Sequence, residues 1–210
     1  RSGLDRRHVL KFGAAAAAAL GVASPAMAQR ARHFRLGHNL PTDTTFHEAA
    51  TVFAKEAAAL SGGNIKIDVF PASQLGSIAE MLSSVRSGSL PFGMANPGWY
   101  SNFVKPVEAF ALPFLVENHE KLKKGLDGKV GTEIAKLCDG VGFKVMGFLL
   151  IGGRHIVNRI RTVKKPADCQ GLKVRVINSN VYIQAFRSLG ATTVAMDPGE
   201  LYIAMQQGVI

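Results

Sequence analysis

Two arginines carry the clearest chemical potential in this chain. Arg175 lies in Leu172-Lys173-Val174-Arg175-Val176-Ile177. Strand alternation there sets Lys173, Arg175 and Ile177 on one face and Val174 and Val176 on the other. Arg154 directly follows the pair Gly152-Gly153 and opens a second strand-like run to Asn158. A guanidinium on a rigid strand grips a carboxylate through two parallel N–H···O bonds. A surface arginine in a weak ion pair has the same spacing, so spacing alone does not choose between them. Trp99 and Tyr100, after Asn96-Pro97-Gly98, are candidates for a pocket wall or for ordinary packing.

Catalytic and cofactor chemistry has no local motif. His47-Glu48-Ala49-Ala50-Thr51 begins like a zinc-protease helix, but Thr51 stands where the second histidine ligand belongs. There is no Cys-x-x-Cys, dinucleotide fingerprint, phosphate loop or nucleophile elbow. His33, His38, His47, His119 and His155 are scattered and read as surface or hydrogen-bonding residues. The expectation is a non-enzyme with no metal and no cofactor. Cys138 and Cys169 are the only cysteines; a disulfide and two unpaired buried thiols both remain open.

These residues need elements to hold them. A strand over His33–His38 leads to Thr45-x-x-Glu48, which reads as a capping box. Phe46, Ala49, Ala50, Phe53, Ala57 and Leu60 then repeat at helical spacing, and Ser61-Gly62-Gly63 stops the helix. Ile65–Val69 alternates as a strand. Ser77-x-x-Glu80 caps a second helix with Met81, Leu82 and Val85 inward, ending at Gly88. Leu90–Ala95 is the next strand. Two short helices fall between Glu117 and Asp139, and the apolar run Phe143–Ile151 predicts a strand buried on both faces. Gly152-Gly153 marks a crossover. Strands at Arg154–Asn158 and Leu172–Ile177, a helix from Ser179 and a helix start at Asp197-Pro198-Gly199-Glu200 complete the pattern. Repeated strand–helix alternation argues for an α/β fold.

The first 28 residues read separately. Arg6-Arg7-His8-Val9-Leu10-Lys11, the apolar run Phe12–Ala23, Pro25 and Ala26-Met27-Ala28 have the order of a twin-arginine export signal, with a mature start at Gln29. This predicts a periplasmic location. The formal charge of +10 includes four basic residues and one acidic residue in that segment, leaving +7 over residues 29–210. The charge is dispersed, which argues against nucleic acid as partner and suits an anionic small molecule. No segment after the signal is apolar for the ~20 residues a membrane span needs.

Several stretches, in order, resemble one family. They are Leu36-Gly37-His38-Asn39, Phe53-Ala54-Lys55-Glu56, Phe70-Pro71-Ala72-Ser73-Gln74-Leu75-Gly76, Phe110-Ala111-Leu112-Pro113-Phe114, Gly153-Arg154, Pro166–Arg175 and Glu200–Gly208. Together they resemble the solute-binding proteins of tripartite ATP-independent periplasmic (TRAP) transporters. The resemblance implies an α/β, two-lobed periplasmic binding protein of type II-like architecture. Lobe one would run over 29–151 and part of lobe two over 152–210. It implies that Arg175 forms a salt bridge with the carboxylate of an organic acid, with Arg154 as a second cleft arginine. Asn39, Asn96 and Asn178 match polar cleft positions, and Trp99 is a neighbouring candidate. The implied partners are the organic acid and the membrane subunits of a TRAP symporter. Ile78 and Ala79 stand where sialate-binding members carry polar groups. The family continues past Gly208, so a C-terminally truncated chain with uncovered apolar surface is the expectation. Two other readings remain: a twin-arginine-exported cofactor enzyme, and a binding protein serving a signalling partner.

Overall fold

The first sheet is built from three short parallel strands. A computed structural model describes residues 31–210, and Arg32–Ile210 form one compact unit. The export signal lies outside the described residues. Strand β1 (Arg32–His38) is exposed at its start and buried from Leu36 to His38. It pairs in parallel with β2 (Ile65–Phe70) on one side and β3 (Phe92–Met94) on the other, in the order β2-β1-β3. Leu36 faces Val69 across one ladder and Phe92 across the other. Parallel neighbours need crossovers, and helices supply them.

The first crossover is helix α1 (Thr45–Leu60). Its cap is Thr44, one residue before the expected Thr45. Thr44 has extended backbone, its Oγ1 accepts from the His47 N–H at 3.3 Å, and its carbonyl takes the Glu48 N–H. Glu48 therefore falls one position too late for the reciprocal box. Phe46 and Ala50 are buried, while Leu60 at the C-terminal end is exposed. Gly62 and Gly63 take positive φ, which lets the chain leave the helix at no steric cost. Helix α2 (Ile78–Ser87) follows β2. Here the capping box forms as expected: the Ser77 N–H donates to Glu80 Oε2 at 2.8 Å and the Glu80 N–H donates to Ser77 Oγ at 3.3 Å. Ile78, Met81 and Leu82 are fully buried. Helix and sheet meet closely because Gly37 lacks a side chain; a Cβ there would lie 2.7 Å from Met81 Sδ. Strand β3 is shorter than expected, because Pro91 has no N–H to give the ladder.

After β3 come α3 (Pro97–Tyr100), a 3₁₀ turn (Lys105–Ala111), α4 (His119–Leu126) and α5 (Lys129–Asp139). Trp99, Val104, Val107, Ile134, Cys138 and Phe143 join α2 in the larger core. Phe143–Ile151 is not a strand. Phe143 is buried, but Met146, Phe148, Leu149 and Ile151 are exposed. Arg154–Asn158 likewise forms no ladder. An apolar run supplies strand propensity, but a strand also needs a neighbour to take its N–H and C=O groups. Among the described residues neither segment has one.

The second sheet follows Gly152-Gly153. A 3₁₀ turn (Pro166–Cys169) is held by Asp168, whose Oδ2 accepts from the Lys164 and Lys165 N–H groups at 2.9 and 3.0 Å. Strands β4 (Lys173–Val176) and β5 (Thr192–Ala195) pair in parallel across α6 (Asn180–Ser188). A 3₁₀ turn (Pro198–Glu200) then enters α7 (Leu201–Gln206). The observed architecture is the α/β arrangement that the alternation implies. Cys138 and Cys169 are both buried and unpaired.

Candidate functional site

Open α/β sheets bind ligands outside the carboxyl ends of their strands. The three candidate asparagines all fall there. Asn39 follows the last residue of β1, Asn96 lies two residues past β3, and Asn178 lies two residues past β4. Asn39 is buried and Asn178 is exposed. Asn96 caps α3, its Oδ1 accepting from the Gly98 N–H at 3.1 Å. Trp99, only 7% exposed, packs in the core beneath this turn rather than at the surface.

Arg175 is the third residue of β4, and its guanidinium is half-buried. Nε and Nη2 both donate to the Met196 carbonyl, at 3.0 and 2.6 Å. Met196 directly follows β5, so the two paired strands fix the arginine and its anchor together. Nη1 makes no hydrogen bond among the described residues, which leaves the Nη1–Nη2 edge for an acceptor. Burial above all, and then the Arg154 guanidinium, depress the Arg175 pKa, while Asp197 acts the other way. An arginine stays protonated regardless. The depression therefore reports an energetic burden on the charge, which an anion would relieve.

Arg154 lies close enough to act on the Arg175 charge. Its Nε donates to Tyr182 Oη at 3.0 Å, and its guanidinium lies 5.0 Å from the Tyr182 ring centroid. The structure thus brings the two arginines near one another, which an isolated strand pattern does not require. Asp197 Oδ1 is buried without a hydrogen-bond partner. Burial chiefly raises its carboxyl above the usual range; the Ile78 backbone N–H and Arg175 oppose this and Glu200 adds to it. An open hollow of about 770 Å³ is walled by residues 154–163 alone, so Arg175 and the asparagines do not line it.

The sequence reading missed four features of this region: the Met196 carbonyl, Tyr182, Asp197 and a histidine pair. The last agrees with the reading of these histidines as hydrogen-bonding residues and adds that two of them bond to each other. His38 is wholly buried, and its Nδ1 accepts from the Leu40 N–H at 3.3 Å. Its Nε2 therefore carries the proton and donates to His47 Nδ1 at 3.0 Å. Burial first, then His47, pull the His38 pKa down to about 4. Helical phase could have suggested the pair, because His47 lies in the first turn of α1, which packs over β1 and β2. No group of three potential metal ligands occurs among the described residues.

Comparison with known proteins identifies the family. The chain is 32% identical to the 2,3-diketo-L-gulonate-binding periplasmic protein YiaO of Escherichia coli over 86% of its own length and 55% of that protein. It superposes on a sugar acid binding protein from Advenella mimigardefordensis in complex with galactonate. The TM-score is 0.82 at 27% identity, covering 86% of this chain and 58% of that one. It also superposes on a TRAP periplasmic solute binding protein from Sulfurospirillum deleyianum with bound succinate. There the TM-score is 0.80 at 28% identity, covering 85% of this chain and 57% of that one. The chain therefore spans a little over half the length of these relatives. The matching family description is bacterial extracellular solute-binding protein, family 7 (DctP), over residues 36–210. With β4, its arginine and the strand-end asparagines all inside that span, the chain belongs to this solute-binding family of the TRAP transporters.

Proposed function

We propose that this chain belongs to an extracytoplasmic receptor that captures an organic acid anion and delivers it to the membrane subunits of a TRAP symporter. The carrying observation is Arg175, held on the Met196 carbonyl beside Arg154 at the carboxyl ends of a parallel sheet. Arg175 takes the ligand carboxylate through its Nη1–Nη2 edge. Arg154 adds a second positive charge, oriented by Tyr182. Asn39, Asn96 and Asn178 offer hydrogen bonds around the carboxylate, and Trp99 supports the Asn96 turn from below. Lobe one runs to residue 151 and lobe two follows. Capture closes the lobes because only the closed state lets both touch the ligand. The role is binding without covalent chemistry. Relatives crystallised with galactonate and succinate support the carboxylate class.

Titration calorimetry on the full-length protein against galactonate, D-galacturonate and succinate tests this. Binding of at least one acid is expected, and its loss in Arg175→Ala. A full-length protein that binds no carboxylate, or that purifies with one equivalent of metal, flavin or nucleotide, would overturn the reading in favour of an enzyme. Export through residues 1–28 predicts periplasmic material beginning at Gln29; a retained N-terminus would refute it.

A further inference from the structure

The Asn96–Ala111 stretch that follows the first sheet meets the Ile177–Tyr182 stretch of the second at two points. At the first, backbone touches side chain. A Cβ on Gly98 would lie 2.6 Å from Ile177 Cδ1 and 3.2 Å from Ser179 Cβ, so any larger residue would force these side chains to shift. At the second, the half-buried Glu108 reaches across. Its Oε1 accepts from Ser179 Oγ and from the Val181 N–H, each at 3.2 Å. Ser179 is 2% exposed and stands at the N-cap of α6 with extended backbone, yet its hydroxyl does not cap its own helix. That hydroxyl points to Glu108. A carboxylate far away in sequence thus satisfies one of the orphan N–H groups of α6 and sets a negative charge against the positive end of the helix.

The position of this bond matters more than its strength. Asn178 lies between Ile177 and Ser179, both buried in the contact. Arg175 is four residues before Ser179 on the strand that leads into it. Tyr182, which orients Arg154, is next to Val181. Asn96, on the opposing side, caps the turn that holds Gly98. Both candidate arginines and two of the three candidate asparagines therefore hang from one junction.

Building on the receptor reading above, we infer that Glu108 is a positioning residue. Its carboxylate docks the strand–helix junction Ile177–Val181 onto the Asn96–Ala111 stretch and so fixes the mutual placement of Arg175, Asn178 and the Tyr182–Arg154 pair. It touches no ligand itself. Removing it leaves the Val181 N–H and the buried Ser179 hydroxyl without an acceptor, and the junction shifts or frays to rehydrate them.

The test uses the full-length protein and its Glu108→Ala, Glu108→Gln and Ser179→Ala variants, with D-galacturonate and succinate as probes. Hydrogen exchange at Val181 should accelerate about tenfold or more in Glu108→Ala, the effect of losing one part-buried acceptor, while Ile65–Phe70 is unchanged. Glu108→Gln keeps an acceptor oxygen and should restore most of the protection. Affinity for whichever probe the wild type binds should fall roughly tenfold in Glu108→Ala and recover to within about threefold in Glu108→Gln. Unchanged exchange at Val181 overturns the inference. So does accelerated exchange with affinity held within about threefold of wild type, because Glu108 would then be merely structural. If the wild type binds neither acid, the proposed ligand class fails by itself, and the exchange comparison at Val174–Val181 alone decides the docking role. Should Glu108→Ala not fold, Ser179→Ala and Glu108→Gln give the same comparison with one bond altered at a time.

Discussion

Replacing Arg175 by alanine separates binding from folding more sharply than any other single change. The wild-type guanidinium sits half-buried against Met196 O, with the like charge of Arg154 nearby. Two contributions to stability then oppose each other on removal. Met196 O loses two hydrogen bonds, at about 1 kcal/mol each or somewhat more because the donor is charged. The protein in turn no longer bears a desolvated cation beside a second cation. These offset, so the unliganded variant should melt within a few degrees of wild type. The liganded state has no such offset. In the proposed site a carboxylate on the Nη1–Nη2 edge would lose its water on lobe closure, and removing one partner of a desolvated charge pair costs about 2–5 kcal/mol. That corresponds to a roughly 30- to several-thousand-fold loss of affinity. Lysine at this position restores charge but not the two-pronged geometry, so Arg175→Lys should recover only part. Calorimetric titration of full-length variants, paired with thermal unfolding, reads both quantities. Binding within about threefold of wild type in a normally melting Arg175→Ala would refute the site, because so small a loss leaves no room for a desolvated ion pair.

Acid should weaken the fold through His38. Its pKa is lowered from 6.5 to about 4, so the unfolded chain takes up a proton in that interval and the folded protein does not. Stability is therefore highest above pH ~6.5 and falls by up to about 3 kcal/mol as pH drops towards 4, where the loss levels off. Urea midpoints across this range should show that slope and lose most of it in His38→Gln; an identical slope in the variant would refute it. Both cysteines should resist a thiol reagent in the native protein and react on unfolding, because both are buried and burial, with Asp139 behind it, raises the Cys138 thiol pKa. Rapid native labelling would contradict this. Gly98→Ala should destabilise by about 1–3 kcal/mol, since its methyl group would overlap Ile177 and crowd Ser179. Denaturant unfolding measures it, and a neutral result would mean the contact is loose.

What could be read from the residues was whatever is decided locally. Ser77 and Glu80 carry their own partners three residues apart, so the start of α2 is legible without the fold. The alternation around Arg175 likewise fixes β4 and the face its side chain takes. Phe143–Ile151 misled because its composition says nothing about whether another strand lies alongside. Thr44 displaced Thr45 as the cap because two adjacent hydroxyls compete, and backbone conformation decides between them. At the site, charged side chains advertise themselves, and so Arg175 and Arg154 are visible. The Met196 carbonyl is not, because every residue has one. Glu108 lies seventy-one residues from Ser179, and only the folded contact joins them.

The Met196 anchor has an evolutionary consequence. A main-chain carbonyl survives any substitution that keeps the local path of the chain, so the side chain at position 196 can drift without loosening Arg175. The proposed grip on a carboxylate would thereby be insulated from sequence change around it. The surrounding strand-end loops are free to diversify towards the remainder of the ligand. A scaffold of this kind can exchange one acid for another through a few loop substitutions while the ionic contact stays fixed, a route consistent with relatives that hold acids as unlike as succinate and galactonate.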